Sequence, residues 1–183
     1  MPRPLTPGLE ERILDAAQQL WSEGGEEALS MRAIAERART HPPRIYARFT
    51  DKDALLQALR SRALARLRQH LSGSGSLRGG LARYLDFAAE QPFDYRLIFG
   101  SGFSGRATPQ ERGQPLDILE RSLAARHGGA PPGYRKTALS IWALLHGTAM
   151  LQQEFQLPDR REAFRAACLD ACEFLAAHPG QTD

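Results

Sequence analysis

Cysteine is nearly absent from this 183-residue chain: it has two, Cys168 and Cys172. Two thiols four positions apart exclude a disulfide framework and cannot supply a four-ligand zinc site, so both read as small core residues in a reducing compartment. Long apolar runs are missing as well. No stretch approaches the roughly 18 uncharged apolar residues of a membrane span, and the first residues hold no apolar signal core. The expectation is a soluble, cytoplasmic protein with no membrane partner. Strand-like alternation is missing throughout, and so are a nucleophile elbow, a phosphate-binding loop and a paired-carboxylate motif, which argues against an enzyme and leaves no expected cofactor or metal. Lysine is scarce too, since 22 of the 24 basic residues are arginine. Arginine bonds phosphates and guanine edges in fork geometry, although genomic base composition produces the same bias.

What is present is an uneven charge. The formal net charge is +3, yet residues 1–31 carry −4, residues 32–71 carry +7 and residues 72–183 are balanced. Nucleic-acid binding needs a local surplus of this kind rather than a basic mean. At 42% apolar and 25% charged residues the chain is an ordinary globular one, long enough to bury a core.

Helical periodicity runs from end to end. Thr6-Pro7 reads as a cap and first-turn proline, and Ile13, Ala16, Ala17, Leu20 and Trp21 recur at helical spacing, predicting a first helix over about 7–23 ended by Gly24-Gly25. Ser30 caps a short second helix with Met31, Ile34, Ala35 and Ala38 inward. Thr40 is placed to cap a third, about 41–47, with Pro42 and Pro43 in its first turn, where a missing amide hydrogen costs nothing. Asp51 caps a long fourth helix whose arginines, Arg60, Arg62, Arg66 and Arg68, read as a solvated or acid-paired face. After the Ser72–Ser76 Gly/Ser stretch come Leu77–Gln91, Phe93–Phe99, a Gly-, Ser- and Pro-rich loop over 100–115, Leu116–His127, Tyr134–Phe155 and Arg160–His178. The sum is an all-α protein of about nine helices.

Helices of about 17, 8 and 7 residues joined by tight turns describe a helix-turn-helix. Arg12-Ile-Leu-x-Ala-Ala-x-x-Leu-Trp21, Gly24, Leu29-Ser-Met-Arg-x-Ile-Ala35, Ala38, Ile45-Tyr46, Phe49 and Asp51-Lys52-x-x-Leu55 resemble the DNA-binding domain of the tetracycline-repressor (TetR) family of bacterial regulators. The match spans residues 9–59 in order, spacing and loop length. The resemblance implies a DNA-binding domain over 1–55, and a helical effector-binding and dimerisation domain over 56–183. It implies that the third helix enters the major groove and that the second crosses the backbone.

Arg44 and Arg48 share one helical face, and with Arg32 they are the candidates for base-edge and phosphate contacts. Pro42 and Pro43 align with base-facing positions, where their rings make apolar contacts such as with a thymine methyl. Tyr46 and Lys52 align with phosphate-bonding positions; the alternatives are a core aromatic and a solvated lysine. Ser30, Thr40 and His41 complete the expected DNA-binding set. Two departures matter. Arg39 stands where the family usually has glycine, so a turn that needs φ > 0 strains it, and Met31 stands where a hydroxyl often bonds phosphate.

In the second part, Gln91-Pro-Phe-Asp-Tyr-Arg-Leu-Ile-Phe-Gly100 and Trp142-Ala-Leu-Leu-His-Gly147 resemble a subgroup with a Trp-x-x-x-His-Gly helix. Trp142 and His146 share a face; each either lines a cavity or belongs to the core. Phe87, Tyr95, Phe99 and Phe103 are either an aromatic pocket wall or core. The helix 134–155 has Ala138, Ile141, Trp142, Leu145 and Ala149 on one side and Leu139, Leu144 and Leu151 on the other. One core covers only one side, so this helix and 160–178 are expected to form a homodimer interface. The function expected is a ligand-responsive regulator, most simply a repressor released from a palindromic operator by an unidentified small molecule. The alternative is control by a protein partner or by thiol oxidation at Cys168 and Cys172, which burial of the thiols would count against.

Overall fold

The structure is a computed structural model that describes residues 8–100, 109–155 and 160–180. Among these residues it is all-α. The helices are α1 (Leu9–Gly24), α2 (Met31–Arg37), α3 (Pro42–Tyr46), α4 (Lys52–Leu71), α5 (Leu77–Glu90), α6 (Pro92–Phe99), α7 (Pro109–His127), α8 (Arg135–Phe155) and α9 (Arg161–Ala177), with a 3-10 turn over Pro131–Tyr134.

The chain forms two compact units. Of the described residues, one takes those up to Arg66 and the segment that begins at Phe93; the other takes Leu67–Pro92 and those from Pro109 onward. The crossing lies inside α4, well past residue 55, and α6 is grouped with the helix-turn-helix rather than with its neighbours in sequence.

In the first unit Ile13 and Ala17 of α1, Ile34 of α2, Ile45 of α3 and Leu55, Leu56 and Leu59 of α4 are almost wholly buried. A fully buried Leu or Ile contributes roughly 1.5–3 kcal/mol, so this small core is what holds three short helices together. Trp21, expected inside, is only half-buried. Ser30 caps α2 as expected, its hydroxyl accepting from Ala33 N at 3.1 Å, and Asp51 accepts from Ala54 N at 2.7 Å at the start of α4. Two capping expectations fail. Helix α1 starts at Leu9 behind Gly8, which sits in the left-handed region, while Thr6 and Pro7 lie outside the described residues. The residue before α3 is His41 rather than Thr40, and it makes no side-chain cap. With Pro42 and Pro43 in the first turn there are few amides left to satisfy, so the helix stands without one.

Between α2 and α3 the backbone bends through Arg39 at φ 51°, among the described residues the one non-glycine at positive φ. Its amide bonds Glu36 O at 3.1 Å and the Thr40 amide bonds Ala35 O at 2.8 Å. That pair of bonds ends a helix in the Schellman manner, which calls for a left-handed residue at this point. Holding an L side chain there costs about 1–2 kcal/mol. Arg39→Gly should therefore stabilise the protein by about 1 kcal/mol, after allowing for the freer unfolded chain. A denaturant midpoint that stays put or falls would contradict this reading of the turn.

The arginines of α4 correct a second expectation. Arg62 pairs with Asp15 at 2.5 Å and Arg66 with Asp94 at 3.0 Å, as an acid-paired face would. Arg60 does not. It is 6% exposed, and its guanidinium donates to Leu97 O at 3.2 Å and Ile98 O at 3.3 Å. Those carbonyls belong to the last turn of α6, where no intrahelical donor remains. Arg60 supplies the missing donors.

In the second unit Ser76 caps α5, accepting from Gly79 N at 3.1 Å. Helix α7 begins at Pro109, so residues 109–115, expected as loop, are helical and Pro115 lies inside the helix. Proline removes one backbone bond without forbidding its neighbours theirs, and the Gly/Pro signal misled here. The two faces of α8 divide as expected: Ala138, Ile141, Leu145 and Ala149 are buried, and Leu139, Leu144 and Leu151 are exposed. In α9 the spacing of Phe164, Ala167, Cys168, Ala171, Phe174 and Leu175 predicts one apolar stripe, and the structure splits it. Cys168 is buried, but Phe164, Ala167, Ala171 and Phe174 are exposed, and the helix turns Leu169, Cys172 and Ala176 inward instead.

Candidate nucleic-acid interface

In α3, Ile45 is the anchor, wholly buried, with Phe49 behind it at 6% exposure. With that side turned inward, His41, Pro43, Arg44 and Tyr46 are exposed, and Pro42 is half-buried. Tyr46 is 53% exposed, so the alternative of a core aromatic is excluded. Arg32 and Ser30 at the start of α2 are exposed too. Ser30 accepts from Ala33 N and keeps its hydroxyl hydrogen to donate elsewhere. The exposed set has the chemistry of a duplex reader: guanidinium forks for base edges or phosphates, a phenol and a hydroxyl for phosphates, a proline ring for a methyl group.

Two residues of the expected set are engaged within the unit, and the hydroxyl of a third is buried. Arg48 pairs with Glu10 at 3.3 Å, with only 16% of its side chain exposed. Lys52 donates to Glu26 O at 3.2 Å and lies 3.8 Å from the Glu26 carboxylate, which fastens the start of α4 to the α1–α2 connection. The Thr40 hydroxyl is buried without a hydrogen-bond partner. Both acids lie far away in sequence, so no local pattern announced them. Another surface pair, Arg37 with Glu23 at 2.7 Å, joins α2 to α1 and holds the Glu23 carboxyl below its ordinary range through the hydrogen bond.

The second unit contains a cavity of about 590 Å³, lined from α5, α7, α8 and the end of α4. Its walls include Leu71, Leu81, Tyr84, Leu119, Trp142 and Leu145. Of the aromatic and histidine residues expected at a ligand site, Trp142 is at this cavity. His146 stacks behind Trp142, ring centroids 5.5 Å apart and planes at 18°, and burial pushes its imidazole below the ordinary pKa, favouring the neutral form. Phe87 is a core residue at 1% exposure. Tyr95, wholly buried, packs on Phe99 at 4.9 Å in the first unit. Phe103 lies outside the described residues.

Cys168 and Cys172 are both buried free thiols. The hydrogen bond between the two thiols raises Cys172 above its ordinary range and lowers Cys168 to about 6, so what counts against oxidation is the burial of both thiols. Among the described residues no group of His, Cys and acid side chains has the makings of a metal site, and no helix is long and apolar enough to cross a membrane.

Comparison with known proteins gives concordant matches. The family model "Bacterial regulatory proteins, tetR family" matches residues 13–59, and "Tetracyclin repressor-like, C-terminal domain" matches residues 77–172. The HTH-type transcriptional regulator UidR of Escherichia coli (strain K12) is 41% identical over 66 residues, 34% of this chain and 34% of its own. The chain thus matches about a third of the length of the curated relatives. A candidate transcriptional regulator from Streptomyces coelicolor superposes with a TM-score of 0.65 at 27% identity, covering 91% of this chain and 97% of that one. A TetR variant from Acinetobacter baumannii in complex with minocycline has a TM-score of 0.62 at 23% identity, covering 91% and 93%.

Proposed function

The chain belongs to the TetR family of bacterial regulatory proteins, DNA-binding transcriptional regulators rather than enzymes, and from that premise we propose that it is a cytoplasmic homodimeric repressor released from a palindromic operator when a small molecule enters the cavity of the second unit. The observation that carries this reading is α4. It is one uninterrupted helix, fastened by Lys52 to the α1–α2 connection at its start and contributing Leu71 to the cavity wall at its end. A ligand that binds one arrangement of the cavity better than another shifts the population of both ends of such a helix, by as much as its differential affinity. The minocycline held by the Acinetobacter TetR variant supports a small molecule in this role. The exposed leucines of α8 and the exposed Phe164 and Phe174 of α9 supply the dimer interface. Each unit 1 then reads one half-site, with Arg44 on base edges and Arg32, Tyr46 and Ser30 on phosphates.

Arg44→Ala and Arg32→Ala distinguish the two roles. Losing a bidentate base contact costs about 1–3 kcal/mol and relaxes preference at one base pair per half-site, whereas losing a phosphate contact weakens every sequence alike. Titration of operator and scrambled duplexes with each variant reads the difference. Equal weakening of both duplexes by Arg44→Ala would remove α3 from base recognition.

A further inference from the structure

The cavity's walls also constrain what enters it. Along most of its surface they are hydrocarbon and aromatic, from Leu77 and Leu81 of α5, Leu119 of α7 and Trp142 of α8. At about 590 Å³ it has the room of about twenty waters, yet an apolar wall gives water few partners, so an apolar body displaces it favourably. The lining carries charge of one sign only. Arg126, in the last turn of α7, lines the cavity while remaining exposed, and among the described residues no carboxylate does. The neighbouring acid on α7, Glu120, is outside the lining and lies 3.2 Å from Arg135. The first turn of α5 opens on the same space through Ser76 and Leu77, and although Ser76 caps the Gly79 amide, the dipole of the helix favours negative charge there. The Ser74 side chain lies against that turn, close enough to touch a β-carbon placed on Gly80 at 3.4 Å, and adds a hydroxyl donor.

We propose that the cavity binds an organic anion: an apolar ring or chain against Leu81, Leu119 and Trp142, with its single acid group at Arg126. A neutral apolar molecule leaves the guanidinium unused, and a cation meets only like charge. The inference rests on the effector reading above, since it names the chemistry of that effector. The simplest competing account makes Arg126 a solvated side chain suited to its own helix end. Arg121, exposed on the same helix one and a half turns earlier and outside the lining, serves as the control for that account.

Two fluorescent probes share one aromatic body and differ in the acid group: anilinonaphthalene sulfonate and the neutral N-phenylnaphthylamine. Titrated into the full-length protein without DNA, the sulfonate should bind at least about tenfold more tightly, the scale of one charge-assisted hydrogen bond. Arg126→Gln should remove that preference and leave the neutral probe unchanged, and Arg121→Gln should leave both unchanged. Ser122→Trp, which places an indole in the lining, should weaken both probes while circular dichroism shows the helices intact. Equal affinity of the wild type for the two probes, or the same loss in Arg121→Gln as in Arg126→Gln, overturns the proposal. Adding the sulfonate to the operator complex separates the two claims. Arg126-dependent binding that leaves the complex intact upholds the ligand chemistry and refutes effector release.

Discussion

Leu151→Glu should yield a folded monomer that no longer holds an operator. Leu151 is 42% exposed, and Leu139 and Leu144 on the same helix are exposed at 45% and 39%. Phe164 and Phe174 of α9 add 39% and 66% exposed aromatic rings. Single exposed apolar residues are ordinary, but five large ones on two helices that pack on each other, with Leu144 and Leu151 on one face of α8, are more than soluble monomers usually leave in water. A twofold interface brings each position near its own symmetry mate, so one substitution places two carboxylates in a desolvated contact where neither has a partner. Such burial costs several kcal/mol, enough to separate the protomers, whereas in the monomer the same glutamate is solvated and harmless. Loss of the second reading head then removes half of the contacts, and specific affinity should fall at least about a thousandfold, to the level of random DNA. Light scattering after size exclusion reads the mass, and circular dichroism the helix content. A dimer of unchanged affinity would place the interface elsewhere.

Arg60→Ala should cost about 3 kcal/mol of folding free energy, a large part of the 5–15 kcal/mol that domains usually have. The guanidinium serves Leu97 O and Ile98 O, two carbonyls at the end of α6 that lose their donors when it is removed. Each buried unsatisfied acceptor costs about 1–3 kcal/mol. Arg60→Lys should recover only part of this, because an ammonium is a point donor and the two carbonyls are met by a fork. Chemical denaturation measures the loss. A change under about 0.5 kcal/mol, the size of an ordinary surface substitution, would return Arg60 to the solvated face suggested by its sequence neighbours. Because α6 is grouped with the helix-turn-helix, Arg60→Ala should also weaken operator binding while the dimer persists.

These two residues mark where sequence reasoning reaches and where it stops. The exposed leucines of α8 were legible because helical periodicity divides a helix into faces, and a helix with two apolar faces needs two partners. The exposed side of α3 was legible for the same reason: the spacing of Ile34, Ala35, Ala38, Ile45 and Phe49 defines the buried side, and the remainder is offered to solvent. Arg60 was not legible. It sits among Arg62, Arg66 and Arg68 in a basic run, and what separates it from them is the end of a helix 37 residues away. The ion pairs of Arg48 and Lys52 were no more legible, since the acids that hold them, Glu10 and Glu26, lie 38 and 26 positions earlier. Phe87, Tyr95 and Phe99 were open between pocket and core, because an aromatic side chain suits both, and packing decides. The strain at Arg39 was readable as a condition, and the backbone at φ 51° fulfils it.

The most direct test of the account is the DNA the protein chooses. Purified wild-type protein, allowed to select from a pool of random duplexes at physiological salt, should enrich a twofold-symmetric sequence with half-sites about one helical turn or a multiple apart, 34–36 Å per turn. Enrichment of no sequence, or of a single unpaired half-site, would contradict a dimeric operator-reading regulator.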